Sequence, residues 1–241
     1  MTAVVSEWGL AGIEALRPQV SVLVIVDVLS FSTAVDVAVS RGAVVYPFPY
    51  GEPEAAQAAA ANVGAVLAQA RRAGGGQLSL SPASLAAIVA DTKLMLPSPN
   101  GARLSLAGDP VPVLAGCLRN AAAVAMRAQV ISQGGGIGVI PAGERWPDGA
   151  LRPAIEDLLG AGAIIHHLGL TCSPEAQVAR DCYMSAGDDL ARLVRSSVSG
   201  RHLIDGGFPQ DVETAVEVNV STQAPLLVNG AYRQYSSYVM G

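Results

Sequence analysis

The segment Lys93–Ile140, KLMLPSPNGARLSLAGDPVPVLAGCLRNAAAVAMRAQVISQGGGIGVI, decides the fold class. It repeats one phrase: a short apolar run, then polar residues at its end. Lys93–Leu96 reads as a strand followed by Ser98-Pro99-Asn100-Gly101. Val111–Ala115 reads as a strand followed by Cys117-Leu118-Arg119-Asn120 and a helix to about Arg127. Ile137–Ile140 reads as a strand that opens toward a helix over about Pro153–His167. Short apolar runs bounded by turn residues suit buried strands. Strands alternating with helices imply βαβ units, and so an α/β fold with a largely parallel sheet and helices on both sides.

The same grammar extends upstream. Val20–Val26 (VSVLVIV) is β-branched and does not alternate, as in a strand buried on both faces. After Asp27, Ser32 and Thr33 open a helix to about Ser40, with Gly42 as its stop. Ala43–Pro47 reads as a short strand and Glu52–Arg72 as an alanine-rich helix, acidic at its start and basic at its end. Gly74–Gly76 and Ser79–Ser84 read as loop, with a short helix near Leu85–Ala90. Beyond Leu170 the pattern weakens. Ser173–Ser197 suggests one or two helices, Gly200–Pro209 a loop, and Val216–Val220 and Pro225–Val228 closing strands. No linker marks a boundary, so residues 1–241 read as one domain, less regular from about residue 170.

Composition narrows the function. Hydrophobic residues make up 51% of the 241 positions, enough for a sizeable core. The net charge of −5 argues against nucleic-acid binding, which needs a basic patch. Val20–Leu29 is too short to span a bilayer and is interrupted by Asp27. Cys117, Cys172 and Cys182 have no metal-ligand spacing, and their odd, sparse count fits a reducing compartment. With no basic region ahead of an apolar stretch at the N-terminus, a cytoplasmic location is expected.

Chemistry concentrates at Gly138–Ala161, GVIPAGERWPDGALRPAIEDLLGA. Glu144, Arg145, Asp148, Arg152, Glu156 and Asp157 crowd this strand exit in a chain that is only 15% charged. Other strand exits supply Asp27 with Ser32 and Thr33, Ser98 with Asn100 and Arg103, and Arg119 with Asn120. In a parallel sheet these ends share one edge, where open α/β sheets bind ligands. Carboxylates suit Mg²⁺, which usually shares its ligands with a substrate phosphate. Arginines and helix N-termini suit phosphate or sulfonate oxygens. The set points to metal-assisted phosphoryl chemistry.

Each residue also has a structural reading. Asp27 could cap its helix, Asn100-Gly101 is a common turn pair, and Arg119-Asn120 could be a cap beside a solvated arginine. Glu156 and Asp157 lie about 100° apart on a helix, so only one is expected to face the site. Gly134–Gly136 precedes its strand and reads as a connector. His166 and His167 read as structural, and Cys117 as a core cysteine.

With these residues in hand, the chain resembles the 2-phosphosulfolactate phosphatase (ComB) family of coenzyme M biosynthesis. VIVDVLSFSTAVDVAVSRGA, LSLSPASL, SPNGAR, GCLRNAAAVA and PAGERWPDGALRPAIEDLLGAGAI carry the resemblance, with a weaker trace in LIDGGFPQDVETAVEVN. It implies a three-layer α/β/α, ComB-like fold and Mg²⁺-dependent hydrolysis of (2R)-2-phospho-3-sulfolactate to sulfolactate and phosphate. Carried over by motif, Asp27, Asn100, Asn120, Glu144 and Asp157 become the site candidates, with Asp27, Asn100, Asn120 and Glu144 as the catalytic set and the metal held by Asp27 with Glu144 or Asp157. Ser32, Thr33, Ser98, Arg103, Arg119, Arg145 and Arg152 become the substrate-binding set.

Two positions depart from the family pattern. Ser30 stands where arginine is common, and Leu118-Arg119-Asn120 where Phe-Leu-Asn is common. Arg119 is available to replace the missing charge, and on that reading Arg119→Ala raises KM severely. Two other readings compete. A haloacid-dehalogenase-type phosphatase would use Asp27 as nucleophile but wants a second aspartate where Leu29 stands. A non-catalytic organic sulfonate- or phosphate-binding protein would bind without turnover. Exposed apolar helix faces in so alanine-rich a chain are compatible with a homodimer.

Overall fold

The computed structural model describes residues 3–71 and 77–234. The expected Gly74–Gly76 loop lies outside them. In chain order, the first half contains β1 (Ala3–Ser6), α1 (Gly9–Leu16), β2 (Val22–Val26), α2 (Phe31–Ser40), β3 (Val44–Pro49), α3 (Pro53–Val63), β4 (Val66–Leu67), α4 (Pro82–Leu85), β5 (Lys93–Ser98) and α5 (Gly101–Ala107). There follow β6 (Val113–Gly116), α6 (Ala121–Ser132), β7 (Ile137–Pro141), β8 (Glu144–Arg145), β9 (Leu151–Arg152) and α7 (Ile155–Leu168). The C-terminal part holds β10 (Thr171–Cys172), α8 (Pro174–Ala186), α9 (Leu190–Ser196), α10 (Val198–Asp205), α11 (Pro209–Ala215), β11 (Leu226–Val228) and β12 (Ala231–Arg233).

Among the described residues, ten strands form one sheet in the order β10-β1-β7-β2-β6-β11-β12-β3-β5-β4. β2 lies near its middle and is wholly buried. Its side chains alternate between two cores, which is why the run carries no polar residue. Val22, Val24 and Val26 pack with Val124 of α6, Ile164 of α7 and Ala179 of α8. Leu23 and Ile25 pack with Ile13 of α1, Phe31 of α2 and Leu104 of α5. Helices on both faces make this the expected three-layer α/β/α fold around a mostly parallel, mixed sheet.

Register positions the site. Val26 pairs with Gly116 of β6 and Pro141 of β7, so three parallel strands end together. Asp27, Cys117 and Ala142 therefore leave the sheet side by side. The expectation that every strand exit shares this edge needs one correction. The antiparallel pair β11–β12 is wedged between β6 and β3, so β3, β5 and β4 run opposite to β2. The loop after β5 still reaches the exit of β2, because the Gly101 N–H donates to Asp27 Oδ2.

Other expectations shift for local reasons. The alanine-rich helix stops at Val63 rather than Arg72, because Gly64 takes the left-handed conformation at φ 64° and closes it. Residues 200–209 are mostly α10 rather than loop; the Ser197 hydroxyl accepts the Gly200 N–H at 3.0 Å and caps the helix. No strand forms over 216–220. There the Asn219 and Ser221 N–H groups donate to the Leu118 and Arg119 carbonyls, which docks the segment on the turn before α6. The short helix expected near residues 85–90 is α4, slightly earlier in the chain.

Candidate active site

Asp27 is the hub of the strand exits. It is 6% exposed. Its Oδ1 accepts the Phe31 N–H at 3.0 Å, as a helix cap would, and its Oδ2 accepts the Gly101 N–H at 2.9 Å. Only glycine permits that second approach: a Cβ on Gly101 would lie 2.7 Å from Asp27 Oδ2 and 2.4 Å from the Phe31 ring. Burial first, then the charge of Glu144, pushes the Asp27 carboxyl up to about 7, while the two backbone hydrogen bonds act the other way.

Three further carboxylates surround it. Asp157, in the first turn of α7, accepts the Val28 N–H at 2.8 Å and the Gly143 N–H at 2.9 Å. It thereby ties the loop after β2 to the loop after β7. Burial, then the charges of Asp27 and Glu156, holds Asp157 well above the usual carboxylate range. Glu144 is raised by burial and restrained by Asn100, whose Nδ2 donates to Glu144 Oε2 at 2.9 Å. Glu156 is 2% exposed, and its Oε2 is buried with no hydrogen-bond partner among the described residues. The expectation that only one of Glu156 and Asp157 turns inward is corrected. Both are buried, and the charge of each bears on Asp27 or is borne on by it.

Such a cluster asks for positive charge. Among the described residues, no three Asp, Glu, His or Cys side chains close on one point as a ready-made cage. Mg²⁺ needs no such cage, since it commonly takes one or two carboxylates and completes its shell with water and substrate phosphates. An orphaned Glu156 oxygen beside raised carboxylates fits an ion shared with a phosphoester.

Cations stand around the acids. The short hairpin β8–β9 sets Glu144 opposite Arg152, whose charge acts on Glu144 and whose Nη2 donates to Ser199 Oγ at 2.9 Å. Arg145, on the same hairpin, donates to the Gly149 carbonyl. Arg145 and Arg103 join Asn100 and Glu144 in lining a cavity of about 320 Å³ whose apolar wall includes Trp8 and Leu104.

A model of the 2-phosphosulpholactate phosphatase family matches residues 13–230. The chain belongs to this family. It is a phosphatase, a phosphoric monoester hydrolase, and the match spans nearly the whole chain. Among curated proteins, no significant match to the sequence is found. No helix among the described residues is long and apolar enough to cross a membrane.

Several sequence candidates are buried or already engaged in hydrogen bonds within the fold. Ser32 Oγ donates to the Ile25 carbonyl at 3.0 Å and Thr33 Oγ1 to the Val28 carbonyl at 2.7 Å, both fully buried. These hydroxyls brace the start of α2 from inside. Ser98 is buried at the end of β5. Asn120 accepts the Cys117 N–H at 2.8 Å and donates to the Ala115 carbonyl at 3.2 Å, clamping the turn between β6 and α6. Arg119 turns to Asp36 at 3.0 Å, to the Thr214 carbonyl and to Glu217. It lines a separate cavity of about 470 Å³ with Ser221 and Glu217. Two acids already hold its charge, so it does not stand in for a cation at Ser30.

Ser30 meets a different residue. Arg71 Nη2 donates to Ser30 Oγ at 2.8 Å. Nothing local in the sequence marks Arg71, which falls inside the run that reads as alanine-rich helix. Cys117 is fully buried and its thiol is pushed up to about 12 by burial, as suits a core cysteine rather than a nucleophile.

Proposed function

We propose that the chain is a Mg²⁺-dependent phosphatase acting on (2R)-2-phospho-3-sulfolactate or a closely similar small anionic phosphoester. Water adds to phosphorus, the phosphorus–oxygen bond to the alcohol breaks, and phosphate and sulfolactate leave. The observation that supports this most is the cluster of Asp27, Glu144 and Asp157, whose carboxyls are raised, with the buried, unpartnered Glu156 oxygen, beside Asn100 and a cavity edged by Arg103 and Arg145.

Asp27 and Glu144 would hold the ion, with the unpartnered Glu156 oxygen nearest to a third ligand in availability. Asp157 accepts N–H groups from the loops after β2 and after β7, and so serves mainly as the latch that fixes the two loops. An ion held there would supply Lewis-acid polarisation of the phosphoryl group and a template for the attacking water. Asn100 fixes the Glu144 carboxylate. Arg103, Arg145 and Arg152 offset the sulfonate and carboxylate charges of the substrate and the charge gathered in the transition state. The aspartyl-phosphate route is disfavoured, because Leu29 stands where that chemistry wants a second aspartate as general acid.

A phosphate-release assay across a panel of phosphoesters, with Mg²⁺ and then with chelator, tests the reading. Turnover of phosphosulfolactate that stops on chelation is expected. Tight binding with no turnover of any member would favour a binding protein instead.

A further inference from the structure

Arg71 sits in a socket assembled from three distant parts of the chain. Its Nη2 donates to Ser30 Oγ at 2.8 Å and to the Leu80 carbonyl at 3.3 Å. Its Nε lies 3.2 Å from Asp211 Oδ2, close enough for an ion pair though not aligned for a hydrogen bond. The guanidinium lies over the Phe208 ring, 5.4 Å from its centre. Asp211 is itself fixed, since its Oδ1 accepts from the Ser81 hydroxyl and from the Ala83 N–H. The C-terminal segment that leads into α11 therefore supplies both the floor and the counter-ion for one cation.

Two features separate this arginine from a structural ion pair. Its charge is shared between Asp211 and the acids Asp27 and Glu144 of the candidate site. Its Nη1, with two N–H donors, has no partner among the described residues, and the side chain is 20% exposed. A pre-oriented guanidinium with one open corner beside a carboxylate cluster is built to take an oxyanion.

We propose that Arg71 is the anion receptor of the site, gripping the phosphoryl group at the Asp27–Glu144 end, with Ser30 and Asp211 as its positioning residues. This rests on the phosphatase reading above. Arg103 and Arg145, in the neighbouring cavity, are then left for the other anionic end of the substrate.

The test uses inorganic phosphate with Mg²⁺ in calorimetry, so it does not depend on turnover. Wild type binds phosphate. Arg71→Ala weakens that binding by about 10²-fold, a scale comparable with removing one preorganised donor from an oxyanion site. Binding of Mg²⁺ alone changes little. Arg71→Lys keeps the charge without the planar fork and retains binding weakened by about tenfold. Should Arg71→Ala fail to fold, Arg71→Lys carries the test. In kinetics, added guanidinium ion restores part of the rate of Arg71→Ala, and Asp211→Asn raises KM more than it lowers kcat. Phosphate bound by Arg71→Lys as tightly as by wild type, or no phosphate binding by wild type, would overturn the assignment. Loss of turnover on every phosphoester with phosphate binding intact would instead strike the phosphatase reading.

Discussion

Asp27 and Asp36 are two buried aspartates nine positions apart, and their surroundings are opposite. Asp36 is fully partnered: Ser221 Oγ donates to it at 2.5 Å and Arg119 Nε at 3.0 Å. Asp27 has two backbone N–H groups but faces the carboxylates of Glu144, Glu156 and Asp157. Burial raises both acids, but hydrogen bonds and the Arg119 charge draw Asp36 back while neighbouring acids push Asp27 further. An acid satisfied within the fold is part of the scaffold. One held against its own kind is poised for a cation and marks a functional site.

The contrast sets the order of expected effects. Asp27→Asn should lower kcat/KM by 10³-fold or more with only a small change in the melting of the unliganded protein, because losing a buried charge among like charges offsets the one backbone N–H left without an acceptor. Asp36→Asn should do the reverse, destabilising by about 3 kcal/mol by breaking the buried Asp36–Arg119 pair. The folded fraction should keep its kcat. Thermal melts and steady-state kinetics on the two variants read both quantities.

Gly101→Ala sharpens the same comparison. Its Cβ would collide with Asp27 Oδ2 and Phe31. A loss of about 1–3 kcal/mol is expected from overpacking, with a fall in kcat beyond what the lost folded fraction explains. Unaltered kcat would mean that the Gly101 N–H does not hold Asp27 in its working position.

The pH dependence follows from the sign of the shift. A carboxyl raised to about 7 in the fold favours the protonated native state. Its stabilising contribution is complete below the ordinary carboxylate range near 4 and is lost as pH rises through about 7. The unliganded protein should therefore lose thermal stability across that window. Mg²⁺ should restore it, and Asp27→Asn should reduce it, leaving the part owed to Glu144 and Asp157. The smallest effect falls on Arg119: Arg119→Ala should leave KM within about twofold of wild type while lowering stability through Asp36. A severe rise in KM would instead return Arg119 to the site.

Much of this was legible in the residues themselves. β2, β6 and β7 are continuous apolar runs because both faces are covered, and Asp27, Asn100 and Glu144 stand where β2, β5 and β7 end, with Asp157 in the first turn of the helix that follows β7. Hydroxyl and amide residues misled for a physical reason. Ser32, Thr33 and Asn120 sit at strand exits like ligands, yet their polar atoms serve backbone groups within about seven residues. Arg71 was illegible from the opposite cause, and Glu156 could not be told from Asp157. Arg71 takes its place only because Gly64 ends α3 and because Ser30, Phe208 and Asp211 come from far along the chain. Glu156 became distinct from Asp157 only once backbone N–H groups were seen to take both oxygens of the latter.

Calorimetric titration of Mg²⁺ into wild type and Asp27→Asn at pH 6.5 and pH 8 tests the central claim most directly. The account predicts saturable binding to wild type, tighter at pH 8 and accompanied by proton release at pH 6.5, with binding lost or severely weakened in Asp27→Asn. Equal affinity in the two proteins, or binding without proton release at pH 6.5, would contradict a cation site built on Asp27.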